Sequence, residues 1–248
     1  MTRKLLIVLV ISGFTTVLTS REASAQLVGT PTLSIEAGLV GNTVDIFAQG
    51  TVQNLGGGTF QWTLDNPIVN GQGAWNLDQA VVTFESNPFV SQAFSFTNIT
   101  GNTADFVFSS SVISSVDFAS PVISGNSAVN VNVAAAATTD ATLAALSNDS
   151  VYAASIGADE VQTLFDGPFS ITTPSAGSPV GSDSGNFESV STPGVSLEIG
   201  EVVTLSSTFS LTGDSNATFS NVLAVVPEPA SLALVAAGGL LTLGRRRR

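Results

Sequence analysis

The chain of 248 residues contains no cysteine and no histidine. A protein without cysteine has no disulfide framework and no thiolate to act as a nucleophile or metal ligand. The lack of histidine removes the most common general base and the most common metal ligand. Catalytic systems that pair a serine or a cysteine with a histidine are therefore excluded.

Positive charge is missing from most of the chain. The seven lysine and arginine residues all lie near one end or the other: Arg3, Lys4, Arg21, Arg245, Arg246, Arg247 and Arg248. Residues 26–226 hold 17 of the 19 acidic residues, because only Glu22 and Glu228 lie outside this segment. Its carboxylates must be solvated, hydrogen-bonded or bound to a metal ion, since no side-chain cation is available. Nucleic acid is excluded as a partner, because phosphate binding depends on lysine and arginine.

The first 25 residues have the parts of a secretory signal peptide. Two basic residues precede the apolar segment Leu5–Leu18, and Ala23 and Ala25 form a small-x-small cleavage site. The alternative is a retained membrane anchor, but the apolar run is short and a cleavage site follows it. We therefore predict that residues 1–25 are removed and that the mature chain begins at Gln26.

Residues 226–248 combine the sequence Pro227-Glu228-Pro229, an apolar stretch and four arginines. As a helix at about 1.5 Å per residue, Ala230–Leu243 would span roughly 21 Å, which is less than the ~30 Å hydrocarbon core of a bilayer. The cluster Arg245–Arg248 is expected to stay on the cytoplasmic side. The pattern predicts a transmembrane segment that stops export, with the prolines holding the motif extended at the outer interface.

This tail, "VPEPASLALVAAGGLLTLGRRRR", resembles a PEP-CTERM sorting signal. The matching residues are Pro227, Glu228 and Pro229, then the apolar segment, then Arg245, Arg246, Arg247 and Arg248. The resemblance implies that exosortase, a membrane-embedded transpeptidase, recognises the motif and removes the tail after it has entered the inner membrane. It also implies a Gram-negative bacterium that makes extracellular polysaccharide, and a cell-surface or matrix destination. It covers only residues 226–248 and implies nothing about the fold of the rest.

Residues 26–225 are predicted to form one all-β domain. Short runs rich in β-branched and aromatic residues recur roughly every 10 to 15 residues, with turn signals between them. The runs span residues 43–52, 58–64, 80–85, 92–99, 104–112, 128–134, 195–200, 202–211 and 217–226. We predict an antiparallel sandwich of two sheets, jelly-roll-like. Valines and asparagines alternate in 128–134, whereas the irregular alternation in 217–226 predicts a strand covered on both faces.

Two stretches interrupt this rhythm. The alanine-rich segment 134–149 predicts a short helix near residues 139–147, with Thr139 or Asp140 as its N-cap and Leu143 and Leu146 on one face. Residues 174–194 are rich in proline, glycine and serine and are predicted to form a long surface loop.

Aromatic and acidic residues are the candidates for ligand contact. Trp62, Trp75 and Tyr152 are candidate glycan contacts, since aromatic rings stack on sugars, but a place in the hydrophobic core is the alternative. A structural calcium ion is the one cofactor that the acidic composition suggests. Asp149, Asp159, Glu160 and the turn 213–216 are candidate positions. None has EF-hand spacing, so the metal ligands stay unassigned.

Three functions remain open from the sequence. The first is a secreted, non-enzymatic surface or matrix protein with a structural or adhesive role. The second is a calcium-dependent carbohydrate-binding module that contacts extracellular polysaccharide. The third, less favoured, is a glycosidase that uses two carboxylates, which needs no histidine or cysteine.

Overall fold

A computed structural model describes residues 32–69, 73–133, 139–147, 149–175, 180–191 and 195–227. Apart from one 3-10 turn at Phe47–Gln49, the regular structure in these ranges consists of strands. They are β1 (Leu33–Leu39), β2 (Asn42–Asp45), β3 (Gly50–Gly56), β4 (Thr59–Leu64), β5 (Ile68–Val69), β6 (Trp75–Glu85), β7 (Phe89–Asn98), β8 (Ala104–Ile113), β9 (Pro121–Val133), β10 (Ala141–Ala144), β11 (Ser150–Ile156), β12 (Asp159–Asp166), β13 (Ser170–Thr173), β14 (Gly181–Ser191), β15 (Val202–Leu211) and β16 (Ser215–Pro227).

The strands form two antiparallel sheets that face each other. The first sheet has the order β12-β11-β15-β8-β1-β2, with β10 bonded to β15 and β13. The second has the order β14-β9-β16-β7-β6-β4-β3, with β5 bonded to β6. The predicted two-sheet antiparallel sandwich is thus confirmed. In the second sheet β3, β4, β6 and β7 follow one another as a meander, which differs from the Greek-key connections of a jelly roll.

Phenylalanine rings fill the space between the sheets. Phe94 of β7 stacks on Phe108 of β8, with ring centroids 4.2 Å apart, and on Phe219 of β16 at 4.7 Å. Phe209 of β15 lies 4.6 Å from Phe219. The Phe94–Phe108 and Phe209–Phe219 contacts cross from one sheet to the other, whereas Phe94 and Phe219 are neighbours within the second sheet. Burial of aromatic surface therefore helps to join the two layers.

The predicted helix near residues 139–147 is wrong. Ala141–Ala144 is strand β10, which pairs with β13 along its full length and reaches Leu211 of β15. Ala141 and Leu143 are both buried, which is the two-residue period of a strand. The Asp140 carboxylate accepts the backbone N–H of Ser175 instead of capping a helix. Sheet pairing has here overridden the high intrinsic helix propensity of alanine and leucine.

The region between residues 174 and 200 also differs from the prediction. Gly181–Ser191, expected within a loop, is the edge strand β14 and pairs with β9. Residues 195–200, expected to be a strand, contribute only an isolated bridge between Leu197 and Phe118. Backbone pairing therefore decided both segments against their side-chain composition.

The outer faces of both sheets carry small polar side chains. In β9, Val129 and Val131 are buried while Asn130 is exposed, as the alternation predicted. In β16 the burial also alternates, so the expectation of a strand covered on both faces is wrong. The hydrophobic pattern was irregular there because a polar residue, Asn221, points inward and Val222 points outward.

Candidate functional site

The candidate site is the junction where the folded domain meets the sorting tail. Strand β16 lies inside the second sheet, between β9 and β7. It continues to Pro227, the first residue of the Pro-Glu-Pro motif and two residues beyond the predicted domain boundary. The domain and the motif therefore share residues, and no linker separates them.

The ladder between β16 and β9 ends at a pair of prolines. Val226 pairs with Val122, and Pro227 is the last residue of β16, opposite Pro121, the first residue of β9. Neither proline has a backbone N–H to donate, so this pair forms no N–H···O bond between its own two residues. The last residue of β16 is thus also the first residue of the motif.

A buried polar network holds β16 in place. The Asn221 side-chain amide donates to Ser207 Oγ at 2.7 Å and to Gln92 Oε1 at 3.3 Å, and its Oδ1 accepts from Ser127 Oγ at 2.7 Å. Gln92 Nε2 in turn donates to Ser110 Oγ at 2.7 Å. All five side chains are buried. Each also has a partner, which a buried polar group requires.

This network was not predicted from the sequence. Its only sequence signal is that Gln92 and Asn221 occupy inward positions between apolar residues, namely Val90 and Phe94 in β7 and Phe219 and Leu223 in β16. The network joins strands of both sheets with neutral side chains, in a segment that has no lysine, arginine or histidine to form a salt bridge.

Tyr152, the third aromatic candidate for sugar stacking, is 0% exposed and contacts β16 instead. Its hydroxyl donates a hydrogen bond to the Val222 carbonyl at 3.0 Å, and its ring meets Phe187 edge-on at 5.8 Å between centroids. Desolvation by burial raises the pKa of the Tyr152 phenol above its ordinary value near 10. The neutral phenol is therefore the form that the folded protein stabilises.

The two tryptophans lie in the core, and the interpretation of them as glycan contacts is wrong. Trp62 is 0% exposed, and its indole N–H donates to the Phe47 carbonyl at 2.9 Å. Trp75 is 4% exposed and packs against Phe96, with ring centroids 5.5 Å apart. Each sits at an inward position of its strand, where a ring cannot reach a sugar at the surface.

The candidate calcium positions are spread over several turns. Asp149 Oδ1 accepts the backbone N–H of Ser150, Asp159 and Glu160 begin β12, and Asp214 lies in the turn before β16. Within the described ranges, no group of three or more acidic side chains is placed to hold a metal ion. Calcium binding therefore remains a prediction from composition, without assigned ligands.

One groove of about 440 Å³ opens beside β10. It is lined by residues 144–147 and 167–170, none of which has an ionisable side chain. This groove therefore has no carboxylate that could act as a general acid, a general base or a nucleophile.

Several predicted features lie outside the described residues. They are the cleavage-site residues Ala23 and Ala25, the motif residues Glu228 and Pro229, the apolar segment that follows them, and Arg245, Arg246, Arg247 and Arg248. Within the part of the chain that the structure describes, no helix has the length and hydropathy needed to cross a membrane.

Comparison with known proteins identifies the tail. A search of curated proteins found no significant match to the chain. A family model, described as the PEP-CTERM protein-sorting motif, matches residues 225–248. The match begins within β16, so its first residues belong to the sandwich. Such a motif implies export, recognition by the membrane enzyme exosortase, and membrane-anchored sorting before release to the surface. The chain therefore carries a PEP-CTERM sorting motif, as the sequence predicted.

Proposed function

We propose that this protein is a secreted surface or extracellular-matrix protein with a structural or adhesive, non-enzymatic role. The observation that carries the proposal is the PEP-CTERM motif at residues 225–248, joined without a linker to a β-sandwich. The motif marks the chain for sorting outside the cytoplasm, and the β-sandwich is the part that carries out the structural or adhesive role at the surface.

The outer faces support a contact role. On the second sheet, one cross-strand row runs through outward-facing residues of successive strands, and most of them are amides or hydroxyls. The row consists of Gln53, Gln61, Thr83, Ser91, Val222, Asn126 and Asn186. On the first sheet, Ser111 and Thr204 share a hydrogen bond of 2.8 Å in a similar row. Uncharged polar rows of this kind suit hydrogen bonding to neutral polymers.

The non-enzymatic part of the proposal is supported by the groove beside β10. An enzyme of the two-carboxylate class needs two acids that flank a cleft about 5–10 Å apart. The groove beside β10 has no acid in its lining. Histidine- and cysteine-dependent chemistry is excluded by composition.

Glycan binding is the second candidate function. Whether this binding requires calcium is tested in the experiment below. The polar row on the second sheet favours it, because sugar hydroxyls pair readily with amide and hydroxyl side chains. The contact would be made by this face and not by Trp62 or Trp75, both of which are buried.

The test is binding of the purified, tail-free protein to the exopolysaccharide of the producing organism, with calcium and with a chelator. Lost binding in the Asn126→Asp, Asn186→Asp variant would support glycan contact by the second sheet. No binding in either buffer, with matrix defects in a deletion strain, would support a purely structural role. Measurable hydrolysis of the polysaccharide would overturn the non-enzymatic proposal.

A further inference from the structure

We propose that the end of the sandwich around Pro227 is a docking surface for the membrane enzyme that processes the tail. The inference rests on the proposed function, because it assumes that the PEP-CTERM motif is used for sorting. It adds to it by naming a part of the folded domain, outside the motif, that the enzyme contacts.

Covalent geometry supplies the first step. Glu228 and Pro229 are the next two residues after Pro227 in the chain, and an extended chain advances at most about 3.6 Å per residue. Pro227 is itself held in the ladder with β9. An enzyme that encloses Glu228 must therefore come into contact with the end of the sandwich.

The strand cannot easily be drawn out to avoid this contact. Val225 is buried, and its backbone N–H donates to the Pro88 carbonyl at 3.1 Å. On the other side, β16 remains paired with β9 as far as Pro227. Freeing more chain for the enzyme would expose the buried Val225 side chain and break pairing in the middle of a sheet.

The surface around the exit is suited to a protein partner. We call it the collar, and it consists of the solvent-accessible residues Asn87, Phe89, Ala119, Ser120 and Val226. Val226 is 45% exposed. Ala119 and Ser120 directly precede β9, and Phe89 pairs with Ala224 of β16. The collar therefore lies around Pro227, where the chain leaves the sandwich.

The collar is free of charge in a strongly acidic domain. Residues 86–91 and 118–124 contain no charged side chain; the acids that border the collar are Glu85, which pairs with Phe89, and Asp117 and Glu228, each two residues along the chain from a collar residue. The Glu85 carboxylate accepts a hydrogen bond from Thr59. Protein interfaces have cores that are depleted in charge, and a charged collar would oppose docking through desolvation.

The test introduces charge into the collar of the full-length precursor. The Asn87→Lys, Ser120→Lys variant changes two exposed residues outside the motif. Pulse-chase immunoblotting in the producing organism measures the rate of tail removal. We expect the variant to lose its tail about ten times more slowly than the wild type, which corresponds to ~1.4 kcal/mol of docking free energy. The matched control is Asn42→Lys, Asn102→Lys, which places the same charges at the opposite end of the sandwich, beside the β1–β2 turn and before β8. The control should be processed at the wild-type rate.

A linker separates docking from a general effect of the lysines. Six glycine and serine residues inserted between Val226 and Pro227 move the motif away from the collar. We expect the collar lysines to have no effect on processing in the linker-containing precursor. Equal rates for the wild type and the collar variant without the linker would overturn the proposal, as would a slowing that persists with the linker.

Two further outcomes have defined meanings. If the wild-type tail is never removed, the proposed sorting function fails, whereas removal that is insensitive to the collar refutes docking alone. If the purified tail-free domain binds phosphatidylethanolamine–phosphatidylglycerol vesicles and the collar lysines change this binding, the surface contacts lipid, and docking to the enzyme is refuted.

Discussion

Asn221 Nδ2 lies 2.7 Å from Ser207 Oγ, and this hydrogen bond joins the strand that leads to the sorting tail to the opposite sheet. Both side chains are fully buried. In a segment without cations, neutral polar groups thus make the specific contacts between the layers.

Replacing Asn221 with alanine should strongly destabilise the domain. The change leaves Gln92 Oε1, Ser127 Oγ and Ser207 Oγ without the partner that they share in the folded state. At about 1–3 kcal/mol for each unsatisfied buried group, we expect a loss of ~3 kcal/mol or more. Urea unfolding of the tail-free protein measures the change. Asn130→Ala, on the exposed face of β9, is the matched control and should shift the free energy of unfolding by less than about 0.5 kcal/mol. Equal effects of the two substitutions would contradict the role assigned to the network.

Gly125→Ala should also be destabilising, for a steric reason. A Cβ at Gly125 would lie 2.5 Å from the Val222 carbonyl oxygen and 2.7 Å from both Phe187 Cζ and Tyr152 Oη. Because backbone and two packed rings must move, we expect a loss of about 1–3 kcal/mol. Gly101→Ala, where no atom lies within 4 Å of the added carbon, is the control. Thermal unfolding compares the two, and a wild-type melting temperature for Gly125→Ala would refute the close packing.

Stability should fall in alkaline solution because of one residue. Burial raises the pKa of Tyr152 in the folded protein above its unfolded value near 10. The stabilisation that the neutral phenol gives to the folded state is therefore complete below pH ~10 and is lost as the pH rises towards the folded pKa. Residues 26–226 contain no lysine, arginine, histidine or cysteine. Tyr152 is therefore the one side chain in this segment whose residue type ordinarily titrates in alkaline solution. The Tyr152→Phe variant should lose about 1 kcal/mol at neutral pH through the hydrogen bond to Val222 and should show a flat alkaline profile.

The measurement for Tyr152 is denaturant unfolding from pH 8 to 12, together with tyrosinate absorbance. Since the chain has one tyrosine, the absorbance should appear only when the wild-type protein unfolds. A normal titration near pH 10 in the folded protein would refute the effect of burial.

The position at which the tail is removed should decide whether the domain folds. Deleting residues 228–248 leaves β16 whole, so we expect a cooperative transition at the same temperature as the precursor's domain. Deleting residues 222–248 removes the buried side chains of Leu223 and Val225, which contribute about 3–6 kcal/mol together, and half of a central strand. We expect that shorter chain to lack a cooperative transition in circular dichroism. A folded shorter chain would show that β16 is dispensable.

The local pattern of polar and apolar residues predicts many of the strands. Strict alternation such as Val129, Asn130 and Val131 predicts both the strand and its buried face, because successive side chains point to opposite sides. The prediction failed at Ala141–Ala144, where pairing with distant strands overrode the helix propensity of alanine and leucine. It also failed for β14, whose glycine and serine residues form a strand only because the edge of β9 is available to pair with them.

The sequence by itself determined the sorting motif, the exclusion of histidine and cysteine chemistry, and the all-β class, because each depends on residue identity or on short-range periodicity. Only the tertiary structure decided that Trp62 and Trp75 are buried, that Asn221 joins the two sheets, and that the last strand lies inside the second sheet. These features depend on which distant segments pair. The pairing of Pro227 with Pro121 joins residues more than a hundred positions apart, and local sequence does not specify such a contact.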